Sequence, residues 1–353
     1  MEEAIDTTLL SDQERLAPYL IEWGLLGEEE PFELRSLGGG VSNRIVEIVC
    51  QDRSFVLKQA QPKLDVKEEW FAPIDRVLIE ADCMEALRGL LPPGVVPEVY
   101  FVDRERFTYG MESAPAGSIL WKKELMEGRI DPSVAGYVGE ILAAMHSKTQ
   151  GNEELRLQFW DNRILHALRI DPCFTFLAGV HPAIGDEIRE QAAELDATKL
   201  CLVHGDYTPK NMLRADRRLI LLDYEIAHWG HPAIDSGFLV AHLLLKAIQF
   251  PGRRQQYVSA ARAFWVAYVD ACTVAPKDDL ERSTAKIVPY LVLARIDSKS
   301  PVEYITAEQK KELARRFSYD FIRAPSPVLD ALFDHLFMLQ DKSHPQANSG
   351  GPH

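Results

Sequence analysis

The chain has 353 residues, 46% of them apolar and 26% charged, which excludes wholesale disorder and exceeds one ordinary core, so two lobes with a cleft between them are expected. Its 39 basic and 53 acidic side chains leave a net charge of −14, without the basic footprint that nucleic acid or anionic lipid demands. Cys50, Cys83, Cys173, Cys201 and Cys272 are odd in number and scattered; they argue against a disulfide framework and for a reducing cytoplasm, and neither a secretory signal nor a bilayer-spanning run is recognised.

In chain order, Ser11 with Glu14 has the spacing of a capping box, and Leu16, Tyr19, Leu20 and Trp23 recur at helical intervals up to Gly24. Leu34 to Val49 and Arg53 to Gln59 are rich in β-branched residues and are broken at Gly38-Gly39-Gly40 and at Gln51-Asp52, which predicts three short antiparallel strands. Helical spacing resumes from Asp75 to Leu91, ends at Pro92-Pro93-Gly94, and gives way to strand patterns over Val95 to Val102 and Phe107 to Met111.

From Asp131, read as an N-cap followed by Pro132, the pattern is mainly helical, with Val134, Val138, Ile141, Leu142 and Met145 in one stripe. Short apolar runs interrupt it at Cys201-Leu202-Val203 and Leu219 to Leu222, with a small hairpin closing around Arg214 to Arg218. Asp235 then heads a strongly apolar helix reaching Phe250, and Lys342 to His353 form a polar tail expected to be disordered. The fold class expected is α+β and bilobal: an N-lobe over residues 1–113, a helical C-lobe over 114–341, and the tail over 342–353.

The informative segment is His204-Gly205-Asp206-Tyr207-Thr208-Pro209-Lys210-Asn211, where an Asp and an Asn five residues later follow an apolar strand. Phosphoryl transfer needs one carboxylate to orient the attacking hydroxyl, Asp206, and a neutral oxygen ligand close by for a metal on the nucleotide phosphates, Asn211. Asp223 follows at a strand end, where a carboxylate can bind Mg²⁺, with Glu225 two residues on. In the N-terminal half, glycines at Gly39 and Gly40 with Ser42 and Asn43 allow backbone N–H groups to approach phosphate. Lys58 ends the next strand, and a helix carboxylate would hold it against the phosphates: Glu80 is preferred, with Glu85 the competitor. Backbone groups from Glu112 to Ala114 are candidates for the adenine edge. Asp235 is either a helix cap alone or a cap that also braces the catalytic loop.

These motifs resemble the aminoglycoside phosphotransferase and choline kinase-like superfamily, relatives of the protein kinases in fold, over roughly residues 34 to 250. The residues that carry the resemblance are Val203-His204-Gly205-Asp206 with Asn211, Leu222-Asp223-Tyr224-Glu225, and Gly230-x-Pro232 leading to Asp235. It implies an ATP- and Mg²⁺-dependent small-molecule kinase with Asp206 as base, Asn211 and Asp223 as metal ligands and Lys58 on the phosphates, while His204, Glu225 and Asp235 support the site. Tyr207-Thr208-Pro209-Lys210 departs from the Leu-His-Pro-Gly common in the family's loop and brings a charge, Lys210, towards the transferred group. The apolar run Phe238 to Leu245 is similar to the matching helix of methylthioribose kinases.

The acceptor is expected to be a sugar or amino-alcohol-like metabolite, with an aminoglycoside, or a non-catalytic nucleotide-binding module, as alternatives. Arg295 and Lys299, spaced to share a helical face, are candidate acceptor contacts along with Lys210. An aminoglycoside would require clustered carboxylates, for which Asp330 and Asp334 are the available pair, although that spacing usually marks the wet side of a helix.

Overall fold

The computed structural model describes residues 9–38, 43–63, 70–215 and 218–343. Helix α1 (Gln13–Glu22) precedes strands β1 (Glu33–Ser36), β2 (Asn43–Val49) and β3 (Ser54–Ala60), then α2 (Arg76–Arg88), β4 (Val99–Asp103) and β5 (Thr108–Glu112). The strands form one antiparallel sheet in the order β1-β2-β3-β5-β4. Alternation in β2 sends Val46 and Ile48 to the outer face. There, with Phe55, Leu57 and Phe101, they bury Leu16, Tyr19 and Leu20 of α1 in a small separate core. Tyr19 anchors the helix by donating its hydroxyl to Asp103 at 3.0 Å. The cap of α1 differs from the expected one: Asp12, not Ser11, accepts from the Glu14 and Arg15 amides, because a carboxylate at the N-terminus also meets the helix dipole.

Helix α2 lies against the other sheet face, its Val77, Ala81, Met84 and Leu87 belonging to the main core. After β6 (Ile119–Leu120) come α3 (Trp121–Glu127), α4 (Pro132–Thr149), α5 (Glu153–Gln158), α6 (Arg163–Leu165), α7 (Phe176–Val180) and α8 (Gly185–Ala197). Asp131 caps α4 through the Ser133 amide, as expected of an Asp-Pro start. Between α6 and α7 the chain makes a wide-turned π-helix, His166–Thr175, containing Pro172; such departures from α geometry are frequent at functional sites.

Strand β7 (Cys201–Val203) pairs with β10 (His228–Gly230), and the hairpin of β8 (Met212–Ala215) and β9 (Arg218–Leu221) pairs with β6. Helix α9 (Ala233–Gln249) is buried from Ala233 to Ile248 and is enclosed by α10 (Arg254–Ala271), α11 (Lys277–Asp297), α12 (Glu308–Arg323) and α13 (Leu329–Ser343). Its apolar sequence is that of a core helix, and among the described residues no single helix is long and apolar enough to cross a membrane. Helix α13 takes in Lys342 and Ser343, so the expected tail begins too early; residues 344–353 lie outside the described residues.

Candidate active site

The catalytic segment leaves β7 with a turn that only glycine tolerates. Gly205 has φ +77° and a Cβ there would lie 2.6 Å from the Ile226 carbonyl oxygen. Gly205→Ala is therefore expected to cost about 2–5 kcal/mol, left-handed strain plus overpacking, read as a lowered urea midpoint with an unchanged slope.

Asp235 sits in the first turn of α9 with its carboxylate turned away from its own helix. It accepts the His204 amide at 2.7 Å, the Gly205 amide at 2.8 Å and the His146 ring at 3.1 Å. This corrects the expectation of a cap: α9 has no side-chain cap, and Asp235 only braces the loop. His146 on α4 was not foreseen. The one available signal was a histidine beside Met145 in an otherwise apolar stripe. Burial would discharge this imidazole, but its hydrogen bond to Asp235 raises its pKa, and Tyr268 holds the opposite ring nitrogen at 3.0 Å.

His204 joins the two halves of the site. Its Nε2–H donates to the Leu222 carbonyl at 3.0 Å, and its Nδ1 accepts the Asp206 amide at 3.2 Å. Both bonds require the neutral Nε2–H tautomer, and burial lowers the pKa accordingly despite nearby Asp235. The β8–β9 register completes the alignment. One step beyond the Met212–Leu221 pair, Leu222 donates its amide to the Asn211 carbonyl at 2.9 Å, which brings Asp223 to the catalytic loop. Asp223 has φ +69°, a left-handed backbone that Asp tolerates better than most residues and that strained functional positions often show.

Asp206 is 1% exposed and ringed by donors. Arg169 lies 2.9 Å from Oδ1, Lys210 and the Asn211 amide 2.9 and 3.0 Å from Oδ2, and Arg295 3.6 Å from Oδ1. Burial alone would raise its pKa; Arg169, Lys210 and Arg295 outweigh that and hold it well below the usual carboxylate range. Arg169 escaped the sequence reading because it arrives on the π-helix, which has no periodic signature, and it also donates to the Gly205 carbonyl at 3.1 Å.

Across the cleft, Lys58 on β3 lies 2.6 Å from Glu80 and 3.0 Å from Asp223. Helix α2 turns Glu80 inward and Glu85 to solvent. Burial works against the Lys58 charge, but Asp223 and Glu80 raise its pKa well above the ordinary value. Burial pushes the Glu80 carboxyl up, as do Asp223 and Glu225, with Lys58 opposing them. Asn43, expected at the phosphates, instead donates to Glu225 at 2.7 Å. It opens β2, and Arg76 of α2 approaches the same carboxylate at 3.3 Å, so this cluster ties the lobes together. Gly39, Gly40 and Ser42 lie outside the described residues.

Glu80, Asp223 and Glu225 could together hold a cation by proximity, but Lys58 already stands between the first two and Arg76 serves the third. Asp223 remains the accessible carboxylate, its side chain 26% exposed. Asn211 gives its NH₂ to Asp206, which leaves its amide oxygen, a hard ligand. That donor set, one carboxylate and one neutral oxygen, fits Mg²⁺.

At the lobe junction, the Glu112 amide is already bonded to the Glu98 carbonyl at 2.8 Å, so Glu112 can offer an adenine edge only its carbonyl; no backbone hydrogen bond engages Ala114 among the described residues. Of the acceptor candidates, Lys210 and Arg295 line a pocket beside Asp206 with His242, Lys246 and Tyr304. Lys299 does not. Helix α11 ends at Asp297, so Lys299 leaves the helical face of Arg295 and lies exposed over the Phe176 ring. Asp330 and Asp334 are spent on Arg262, at 2.8 and 3.7 Å, and supply no acidic pocket.

Comparison with known proteins bears on the family and the fold. The chain is 27% identical to a methylthioribose kinase of Geobacillus sp. (strain WCH70) over 67% of its own length and 66% of that protein's, and 26% identical to one of Bacillus velezensis over 74% of each. It thus spans about two thirds of the length of the first of these relatives. Its fold is shared with a choline/ethanolamine kinase family protein from Mesorhizobium loti (TM-score 0.50, 16% identity, covering 93% and 99% of the two chains). A Plasmodium vivax ethanolamine kinase shares it too (TM-score 0.51, 10% identity, 96% and 94%). Residues 33–268 match the model of the phosphotransferase enzyme family, APH, and the chain belongs to that family.

Proposed function

We infer that this phosphotransferase is an ATP-dependent kinase that moves the γ-phosphoryl group to a hydroxyl of a small metabolite. The observation that supports the reading is the joint tether of the two site segments: His204 and the β8–β9 register link the loop carrying Asp206 and Asn211 to Asp223, and Lys58 of the other lobe pairs with Asp223.

Asp206 accepts the acceptor's O–H and fixes one oxygen lone pair on the phosphorus. The oxygen–phosphorus bond forms as the bond to ADP breaks, and the proton passes to Asp206. A carboxylate with so low a pKa is a weak base, which suits a loose transition state in which the hydroxyl is oriented early and loses its proton late. Lys58, held charged by Glu80, is available to the inner phosphates, and Lys210 to the charge on the transferred group. Asn211 and Asp223 would hold a Mg²⁺ ion, which would neutralise phosphate charge. Five free, buried cysteines support a reducing, cytoplasmic setting.

A thermal-shift measurement tests the nucleotide and metal part. ATP is expected to raise Tm only when Mg²⁺ is present, and Asp223→Asn to abolish that dependence. Equal stabilisation without the metal in both proteins would point to a binding module instead.

A further inference from the structure

We propose that the pocket beside Asp206 seats an oxyanion, so that the acceptor is a hydroxylated small molecule bearing a carboxylate or phosphate group. This rests on the kinase reading and narrows its substrate class. The cavity, ≈ 110 Å³, is smaller than the roughly 150 Å³ that admits benzene, a size suited to an acidic group and a few carbons.

Its lining is cationic. Lys210 and Arg295 stand at the Asp206 end, and Lys122 and Lys246 at the other; Glu303, the only carboxylate lining it among the described residues, is taken by Lys122. Lys246 is fully buried in the last turn of α9, and among the described residues its ammonium has just one hydrogen bond, 3.2 Å to the His242 carbonyl, besides the Tyr304 ring at 5.4 Å. A buried ammonium so poorly compensated is costly unless something pairs with it.

Three more buried polar atoms among the lining side chains lack hydrogen-bond partners among the described residues: His242 Nε2, Arg295 Nε and the Tyr304 hydroxyl. His242 and Lys246 are one helical turn apart on one face of α9, and Arg295 approaches from α11. Donors left open on three elements around one cavity are the inventory an oxyanion would satisfy. Burial, with Lys122 close by, lowers the Lys246 pKa to about 7, and burial with Arg295 and Lys246 lowers that of His242; a bound anion would relieve both. The same lining repels an aminoglycoside or a quaternary amine.

The test uses the full chain with Mg-ATP and four acceptor classes: neutral sugars, hydroxy acids, phosphorylated polyols, and cationic amino alcohols with aminoglycosides. ADP release and product mass are read. Turnover confined to the second or third class is expected, and these two arms distinguish carboxylate from phosphate. Lys246→Met, which keeps the volume and removes the charge, should raise KM about ten- to a hundredfold with kcat nearly unchanged. Lys122→Ala, closer to solvent, gives a milder rise should the first variant fold poorly. Separately, with the nucleotide site saturated by Mg and a non-hydrolysable ATP analogue, inorganic phosphate should raise Tm in wild type but not in Lys246→Met. Turnover confined to neutral or cationic acceptors, or a phosphate response that ignores Lys246, overturns the proposal. Lys246-dependent phosphate binding without turnover of any class would uphold the anion seat and overturn the kinase reading.

Discussion

Asp206→Ala is expected to keep magnesium-dependent ATP binding while losing about a hundred- to ten-thousand-fold in turnover, a rise of about 3–5 kcal/mol in the barrier. The size follows from position: Asp206 is the carboxylate on which Asn211, Lys210 and Arg169 converge, at the head of the cationic pocket. Because alanine leaves those cations without their counter-charge, Asp206→Asn is the companion variant; it keeps the shape and should be as inactive. The acid side of the pH profile carries further information. The Asp206 carboxyl titrates well below its ordinary value, so its basic form is populated at every pH where the protein is handled. An acid limb in kcat/KM between pH 5 and 7 is therefore not expected from this group. The sign for stability is the same. A depressed carboxyl contributes stability that is complete above the unfolded value of about 3.9 and is lost as the pH falls through the folded one. The contribution of Asp206 to the urea midpoint should accordingly be lost only in strong acid.

Asp235→Ala is expected to cost about 3–5 kcal/mol of stability and most of the activity. The carboxylate is fully buried and holds the His204 and Gly205 amides at 2.7 and 2.8 Å; its loss also removes the hydrogen-bond partner of the His146 ring, whose pKa it raises. Asp235→Asn separates the contributions. An amide oxygen can still accept one backbone N–H, so about half of the stability should return, while the displaced Gly205 turn keeps turnover low. Equilibrium unfolding combined with kcat distinguishes the two outcomes. A variant as stable and active as the parent would show that the brace carries no strain.

The hairpin over residues 212–221, the sheet of the first lobe and the apolar α9 were legible because each depends on local pattern: alternation, a turn, or a continuous apolar run. The pairing of Lys58 with Glu80 was also within reach, since helical periodicity turns Glu80 and Glu85 to different faces. Arg169 was not, because it rides on a π-helix whose widened turn matches no simple period. Arg76 was hidden for a different reason. It reads as an ordinary solvated charge in the first turn of α2, yet it is fully buried, bridging Gln61 and Glu225. Asn43 was misread because a glycine triplet stands just before it in the sequence, and proximity in sequence to glycines does not say which way the first residue of a strand will point. The Arg295 and Lys299 pair failed through one boundary: α11 stops at Asp297, two residues short of what a shared face requires.

Transfer of label from the γ-phosphate of ATP tests the central claim most directly. With Mg²⁺ and a mixture of hydroxylated metabolites, the wild-type chain should move the label onto a small molecule recoverable by mass spectrometry, and Asp206→Ala, folded to the same Tm within a few degrees, should not. Label reaching no acceptor, or reaching it equally with both proteins, would contradict the assignment of phosphoryl transfer to this site.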